Sequence, residues 1–189
     1  MIGVHFKPGG VAAFLGMPSE EITNQVVDLE DLWGASAKEL RDQLLAARNP
    51  PAKFRVLEKF LLERMARWST ASDRRDLVWW ALDKFLRQPQ QQTIRAVSDK
   101  LGISHKHFIS EFRRHVGLTP KLFCRIRRFQ EVLAQINSRA KIQWADVAYS
   151  CGYYDQAHFV NDFQAFAGLN PSLYVKKHLV EPNFVPVAR

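Results

Sequence analysis

Apolar residues recur at helical spacing along most of the chain. Ile94, Val97 and Leu101 stand at positions i, i+3 and i+7, so they share one face of a helix. A longer stripe with helical spacing runs through Leu122, Ile126, Phe129, Leu133 and Ile136. It predicts a helix with one buried face over 120–137, and Pro120 favours the first turn of that helix. Further helices are predicted over 35–47, 52–68 and 73–88, and a short one from Pro171.

The first 34 residues follow a different pattern. Ile2, Val4 and Phe6 alternate along the chain, as in a half-buried strand, and a second strand is predicted from Val26 to Leu29. Two short strands do not make an independent sheet. Together with the helices at 35–47, where Ser36 is the predicted N-cap, and 52–68, they predict a small α+β segment with two helices.

One face of the predicted helix 52–68 is apolar and admits two interpretations. Phe54, Leu57, Leu61 and Trp68 share this face. It fits packing against the protein core, and it also fits a contact between two copies of the chain, with a heptad-like face interrupted by Arg64.

A segment of the second half of the chain occurs twice. His107-Phe108, Phe112, Gly117-Leu118, Pro120 and Phe123 each have a counterpart 51 positions later, in His158-Phe159, Phe163, Gly168-Leu169, Pro171 and Tyr174. Upstream, Ile94, Val97 and Gly102 match Trp144, Val147 and Gly152 at an offset of 50, so the second copy has one more residue in its turn. Such a repeat indicates one supersecondary unit used twice.

Each copy has the pattern helix, short turn, helix. In the first, Gly102 follows the apolar face of one helix, and Ser104 is suited to cap the next. Two short helices joined by a turn that contains glycine are typical of the helix-turn-helix motif. The sequence therefore predicts a mainly α protein with helix-turn-helix units at 93–116 and 143–167, joined by the long helix 120–137.

These residues carry a family resemblance. Leu101-Gly102-Ile103-Ser104, Phe108, Phe112 and Gly117-Leu118-Thr119-Pro120 resemble the first half of the DNA-binding domain of AraC/XylS transcriptional regulators. The second half matches in Asp146-Val147-Ala148, Cys151-Gly152-Tyr153, Asp155-Gln156-Ala157-His158-Phe159, Phe163 and Gly168-Leu169-Asn170-Pro171-Ser172-Leu173-Tyr174. The resemblance implies a DNA-binding domain over 73–180 and a tail at 181–189.

The resemblance also implies a role for the N-terminal part and a set of partners. Residues 1–72 are expected to be a partial sensing or oligomerisation region, truncated at its N-terminal end. Double-stranded DNA is the expected partner, with RNA polymerase and a small-molecule effector as further candidates. The expected state is a monomer or a homodimer in the cytoplasm, with no membrane contact and no cofactor.

The net charge of +8 is concentrated in one stretch. Residues 1–72 hold nine basic and nine acidic residues, whereas 100–141 hold ten basic and two acidic residues, a net charge of +8. Residues 142–180 hold two basic and three acidic residues, a net charge of −1. The basic stretch coincides with the first helix-turn-helix unit and the helix after it, as expected of a surface that meets phosphate.

The N-terminal residues of a recognition helix reach base edges. In the first unit the predicted base-reading residues are His105, Lys106, Ile109 and Ser110, because Phe108 and Phe112 must face inward. Lysine donates to guanine, and isoleucine suits a thymine methyl group. The predicted phosphate ligands are Ser104, Arg113, Arg114, Lys121 and Arg125.

The second unit is less suited to insertion into DNA. Its predicted base-reading residues are Gln156, Ala157 and Asn161, of which the two amides suit adenine. Asp155 and Asp162 are expected to flank this face and to repel phosphate. Family members often place basic residues near Asn161 and Gln164, and this chain has none there.

Catalysis and metal binding have little support in the sequence. His107 and His158 recur at one repeat position without a carboxylate or cysteine set, so a metal site is not expected. Repair methyltransferases that carry a related domain need a reactive cysteine in a dedicated motif and metal-binding cysteines. Here Cys124 falls on the joining helix, and Cys151 falls at a position that packs the helix-turn-helix. No enzyme activity is expected. The alternative to a transcriptional regulator is a helical protein-interaction module of the same fold.

Overall fold

The computed structural model describes residues 2–68, 74–90, 93–137 and 142–180. Within these ranges all regular secondary structure is helical, in eleven α-helices and one short 3-10 turn at Ser19–Ile22. The α-helices are α1 Ala12–Leu15, α2 Leu29–Trp33, α3 Ala35–Ala46, α4 Pro50–Trp68, α5 Arg74–Arg87, α6 Ile94–Lys100, α7 His105–Val116, α8 Pro120–Asn137, α9 Trp144–Ser150, α10 Gln156–Ala167 and α11 Pro171–Val180. The predicted tail at 181–189 lies outside the described residues. None of the described helices is long and apolar enough to cross a membrane.

The mainly α fold is confirmed, but the predicted strands are wrong. Residues 2–6 form no regular element, and the Phe6 ring instead packs against Phe14 with the ring centroids 4.9 Å apart. Val26 is fully exposed, and Leu29 opens α2. Alternating apolar residues failed as a signal here because no neighbouring strand supplies the hydrogen bonds of a sheet. Ser36 is also not the N-cap of α3, which begins directly after Gly34.

The repeat is reproduced residue by residue in the helices. α9 begins and ends 50 positions after α6, and α10 begins and ends 51 positions after α7. α11 begins 51 positions after α8. The extra residue lies between the two helices of the second copy, as the sequence predicts.

The described residues fall into two compact bodies, which differ from the two helix-turn-helix units. The N-terminal body contains those within 1–80 and 101–119, and the C-terminal body contains those within 81–100 and 120–189. The first recognition helix, α7, therefore belongs to the N-terminal body, together with the helices α1 to α4.

In the N-terminal body, α4 packs against α1 and α3, and α2 packs against α3. One carbonyl joins three of these helices. The Phe14 carbonyl accepts hydrogen bonds from Trp33 Nε1 at 2.9 Å and from Nε and Nη2 of Arg64 at 3.3 Å. The Arg64 guanidinium also stacks over the Trp33 ring at 4.7 Å. Arg64 thus ties α4 to the N-terminal helices.

The apolar face of α4 is only partly covered. Leu57 and Leu61 are half-buried, whereas Phe54, Leu62 and Met65 are exposed. Together with other residues of the N-terminal body, these five side chains line an open groove of about 410 Å³. Core packing accounts for the covered part of this face, and the contact between two copies stays a prediction for the exposed part.

The C-terminal body contains a core in which α8, α9, α10 and α11 meet. Aromatic rings dominate it: the Phe163 centroid lies 5.8 Å from Phe159, 5.3 Å from Tyr174 and 5.1 Å from Phe129. The predicted stripe of α8 is buried only in part. Its member Ile136 is buried, whereas Phe129 and Leu133 are partly buried and pack against the core from its edge. Val132, which the predicted stripe did not include, is fully buried.

Candidate nucleic-acid interface

The N-terminal half of α7 presents a polar surface. Ser104 is the N-cap, and its hydroxyl oxygen accepts a hydrogen bond from the backbone N–H of His107 at 3.2 Å. His105, Lys106 and Ser110 are exposed and Ile109 is half-buried, while Phe108 and Phe112 are buried on the inner side. The four predicted base-reading residues of the first unit therefore lie together, with at least part of each side chain accessible.

The C-terminal end of α7 is capped by residues from the N-terminal segment. The last carbonyls of a helix have no partner within the helix. Here Ser19 Oγ donates to the carbonyl of His115 at 3.0 Å, and Thr23 Oγ1 lies 2.7 Å from the carbonyl of Gly117. The Thr23 hydroxyl also lies 3.1 Å from the Ser19 carbonyl, and its one hydrogen can serve one of the two at a time.

The predicted phosphate ligands at this end of α7 differ in how they are held. Arg113 Nη2 forms an ion pair with Glu20 Oε2 at 3.0 Å, and the Arg113 side chain is half-exposed. Arg114 and, at the start of α8, Lys121 are exposed. Arg114 and Lys121 are thus open to solvent, whereas Arg113 already has a carboxylate beside it.

The second recognition helix, α10, is capped in the same manner as α7. The Asp155 carboxylate accepts a hydrogen bond from the backbone N–H of His158 at 2.7 Å, at the repeat position of Ser104. Gln156, Ala157 and Asn161 are exposed, as the sequence predicts. The Asp155 carboxylate thus caps the helix backbone while the residue stays exposed, and its repulsion of phosphate stays a prediction.

Asp162 is not a surface charge, which corrects the expectation that it flanks the exposed face of α10. Its Oδ1 lies 2.6 Å from Nη2 and 2.8 Å from Nε of Arg125, and its side chain is only 6% exposed. The Arg125 guanidinium also stacks over the Phe166 ring at 5.2 Å. Arg125, predicted as a phosphate ligand, therefore connects α8 to α10 and is 31% exposed.

A second arginine of α8 reaches the turn of the second unit. Arg128 Nη1 donates to the carbonyl of Gly152 at 3.4 Å, and its guanidinium lies 5.1 Å from the Tyr153 ring centroid. Burial raises the pKa of the Tyr153 hydroxyl above its usual range. A side chain at Gly152 would also collide with Gln90 of the preceding connection. These contacts fix the turn that precedes α10.

The described residues contain no group of three or more His, Cys, Asp or Glu side chains that could hold a metal ion. His158 is exposed, and its ring meets the Tyr153 ring edge-on at 5.3 Å. Burial raises the pKa of the Cys124 thiol to about 11, although the nearby Arg128 opposes this shift. Cys151 is fully buried, and its sulfur accepts a hydrogen bond from Gln135 Nε2 at 3.2 Å.

The contacts that sequence reasoning missed all join distant parts of the chain. Ser19 and Thr23 are 96 and 94 residues away from the carbonyls that they face. Nothing local marks them, because polar residues in a short turn are common. The position of Asp162 could have been noticed in the sequence. It is an acidic residue between Phe159 and Phe163 of an amphipathic helix, and a buried acidic residue needs a partner.

The sequence of this region matches a known domain family. A family described as "Helix-turn-helix domain" matches residues 97–177, which contain both helix pairs almost in full. Residues 97–177 form an AraC-type helix-turn-helix domain. A curated relative of the chain, named "Uncharacterized HTH-type transcriptional regulator" in Haemophilus influenzae, is 31% identical over 97 residues. The match covers 51% of this chain and 32% of the relative, so the chain spans about a third of that protein's length.

Two solved structures are similar to part of the chain. One is described as a DNA-binding transcriptional dual regulator from Escherichia coli K-12, with a TM-score of 0.44, 19% identity, and coverage of 59% of this chain and 97% of that chain. The other is the DNA-binding domain of AdpA, a global transcriptional factor, in complex with a target DNA. It has a TM-score of 0.48, 18% identity, and coverage of 60% of this chain and 100% of that chain.

Proposed function

We propose that this protein is a sequence-specific DNA-binding transcriptional regulator. Its two helix-turn-helix units would read two adjacent major-groove segments of one operator. The AraC-type domain and the name of the curated relative support this function class. The observation that carries the proposal is the surface of α7. Three of the four predicted base-reading residues are exposed there, at the N-terminal half of a capped helix whose C-terminal half carries the exposed Arg114.

The exposed residues suit distinct roles at a duplex. Lys106 would donate to guanine N7 and O6, and Ser110 would accept or donate at a base edge. Arg114 and Lys121 would bind phosphate and fix the register, which carries no sequence information. We assign Arg125 a structural role instead, because its guanidinium is engaged by Asp162 and by the Phe166 ring.

The second unit would contribute mainly to specificity. Its exposed reading face consists of Gln156, Ala157 and Asn161, which carry no charge. Amide side chains can bind adenine by two hydrogen bonds. Without cations nearby, they would add discrimination between bases and little electrostatic affinity.

We further propose that the protein has no catalytic activity and works beside the chromosome in the cytoplasm. A reactive cysteine requires a lowered pKa, whereas burial raises the pKa of Cys124 to about 11. RNA polymerase and a small-molecule effector remain candidate partners. A homodimer would use the exposed apolar residues of α4, and a change of Phe54 or Leu62 to a polar residue should then disrupt it.

A protein-interaction module is the second candidate, and one observation favours it. Tyr149 and Tyr154, at the turn of the second unit, are 86% and 93% exposed. Exposed tyrosines are enriched at protein interfaces, and this unit lacks the cations expected for strong DNA binding. In that case the second unit would contact a protein, and duplex binding by the chain would be weak and unselective.

Selection of binding sites from random duplexes with the full chain tests the proposal. We expect enrichment of a bipartite motif whose two parts are about 10–10.5 base pairs apart. An enriched motif with a single part would overturn the proposal that both helix-turn-helix units read bases. Absence of any enriched sequence, with the protein folded, would overturn the regulator and favour the interaction module.

A further inference from the structure

One cation of the first recognition helix is held by an acidic residue from the N-terminal segment. Glu20 lies in the 3-10 turn Ser19–Ile22, and its carboxylate is 3.0 Å from the Arg113 guanidinium. Ser19 and Thr23, on either side of the turn residues 20–22, face the C-terminal carbonyls of α7. Three separate polar contacts therefore fix residues 19–23 against one end of this helix.

Arg113 lies on the same side of α7 as predicted base-reading residues. It follows Ser110 by three positions and Lys106 by seven, so these side chains project along one stripe of the helix. An arginine on that stripe would bind the DNA backbone at the far end of the reading surface. Its Nη2 group already faces Glu20, and the carboxylate next to the guanidinium would also repel a phosphate placed there.

The segment leaves the rest of the reading surface accessible. Lys106 and Ser110 are exposed, whereas the contacts of residues 19–23 all lie at Arg113 or beyond it. Glu21, the next residue along the turn, is exposed. Residues 19–23 therefore contact one cation of α7, Arg113, and leave the rest of its reading surface exposed.

We propose that residues 19–23 are an intramolecular competitor for DNA at the C-terminal end of α7. Ser19 and Thr23 anchor the turn, and Glu20 withholds Arg113 from the phosphate backbone. Pairing with Glu20 offsets the Arg113 charge and occupies its Nη2 donor, so this pairing and the binding of DNA phosphate weaken each other. This proposal rests on the proposed DNA-binding function.

The competition has a signature in the salt dependence of binding. Each phosphate that a protein neutralises adds close to one unit to the slope of log K against log salt. Release of Arg113 should therefore make that slope steeper by about one unit. A residue that merely shaped the helix would change the affinity without adding a phosphate contact.

The experiment compares Glu20→Gln with Glu21→Gln in the full chain. Both changes raise the net charge by one, and only the first removes the partner of Arg113. Binding to a fixed duplex is titrated at several salt concentrations, at matched helix content by circular dichroism. Glu20→Gln should raise the affinity at low salt by about two- to fivefold, as for release of a half-exposed ion pair. Glu21→Gln should leave the slope unchanged.

Arg113→Ala provides the internal control. In that background, Glu20→Gln should have no larger effect than Glu21→Gln, because the cation that it releases is gone. Equal slopes for the two glutamine variants in the otherwise wild-type chain would overturn the proposal. If the wild-type chain binds no duplex at all, the proposed function fails, and this proposal fails with it.

Discussion

The two recognition helices are built from one repeat but are supported in different ways. α7 is capped at its C-terminal end by Ser19 and Thr23, from a segment far away in the chain. α10 has no such cap among the described residues and is held from the side, where the Arg125–Asp162 ion pair joins it to α8. The exposed face of α7 and the start of α8 are basic, whereas that of α10 is uncharged.

This difference separates two tasks that one motif can perform. In the first unit, Arg114 remains at the surface, and the end of α7 is held by two neutral hydroxyl groups at its carbonyls and by the half-exposed Glu20–Arg113 pair. In the second unit, Arg125 and the buried Asp162 form an ion pair, and we expect neither charge to add to the affinity for DNA. We therefore expect the first unit to supply affinity and the second to supply discrimination between bases.

The largest effect is expected at the glycines that end the two helices. Gly117 and Gly168 have φ angles of 84° and 69°, a region that is strained for other residues. A Cβ atom at Gly117 would lie 2.8 Å from Thr23 Oγ1, whereas one at Gly168 would meet no described atom within 4 Å. Gly117→Ala should destabilise the protein by about 3 kcal/mol, and Gly168→Ala by about 1–2 kcal/mol, measured by urea denaturation.

Combination of Thr23→Ala with Gly117→Ala tests whether the difference arises from Thr23. Alanine removes the Oγ1 atom that the new Cβ would meet. The loss caused by Gly117→Ala should therefore be smaller in the Thr23→Ala background than in the otherwise wild-type chain. Equal losses for the two glycine variants would mean that the N-terminal segment does not rest on the end of α7.

The next effect concerns the ion pair inside the second unit. Asp162→Asn leaves Arg125 beside a neutral amide and should cost about 2 kcal/mol of unfolding free energy, less than for a fully buried pair because Arg125 is partly exposed. The matched control is Glu111→Gln, at the equivalent position of α7. Glu111 forms no ion pair within the described part of the chain, so its change should stay within about 0.5 kcal/mol. A comparable loss in both variants would show that the pair is not special to α10.

The smallest effect is expected at an exposed cation. Arg114→Ala should weaken binding to all duplexes alike, by about 1 kcal/mol, and reduce the salt slope by about one unit. Titrations of the operator and of an unrelated duplex at several salt concentrations measure both quantities. Selective loss of operator binding would mean that Arg114 reads bases and not phosphate.

The helices of this protein could be predicted from the sequence because their signals are local. The repeat, the proline at 120 and the apolar spacing placed α6 to α11 with the correct order and nearly correct ends. The failures lie where local signals compete. Alternation at Ile2, Val4 and Phe6 looked like a strand, but a strand needs a partner, and Phe6 packs on Phe14 instead.

The candidate interface could be predicted only in part. The exposed residues of α7 and α10 follow from the inward position of the phenylalanines. The state of the charges does not follow from a count: Arg113 and Arg125 look alike in sequence, yet each is paired with an acid that lies far away in the chain. Composition therefore predicts that the surface is basic, whereas the three-dimensional contacts determine which cations remain accessible.

The most direct test of the difference between the units compares Lys106→Ala with Asn161→Ala on one selected operator. We predict that Lys106→Ala costs about 1–3 kcal/mol of binding free energy and relaxes the base preference at one position. Asn161→Ala should cost less, because an uncharged amide on a face without cations contributes little electrostatic affinity. Titrations at several salt concentrations give both values. A larger loss from Asn161→Ala than from Lys106→Ala would contradict the assignment of affinity to the first unit.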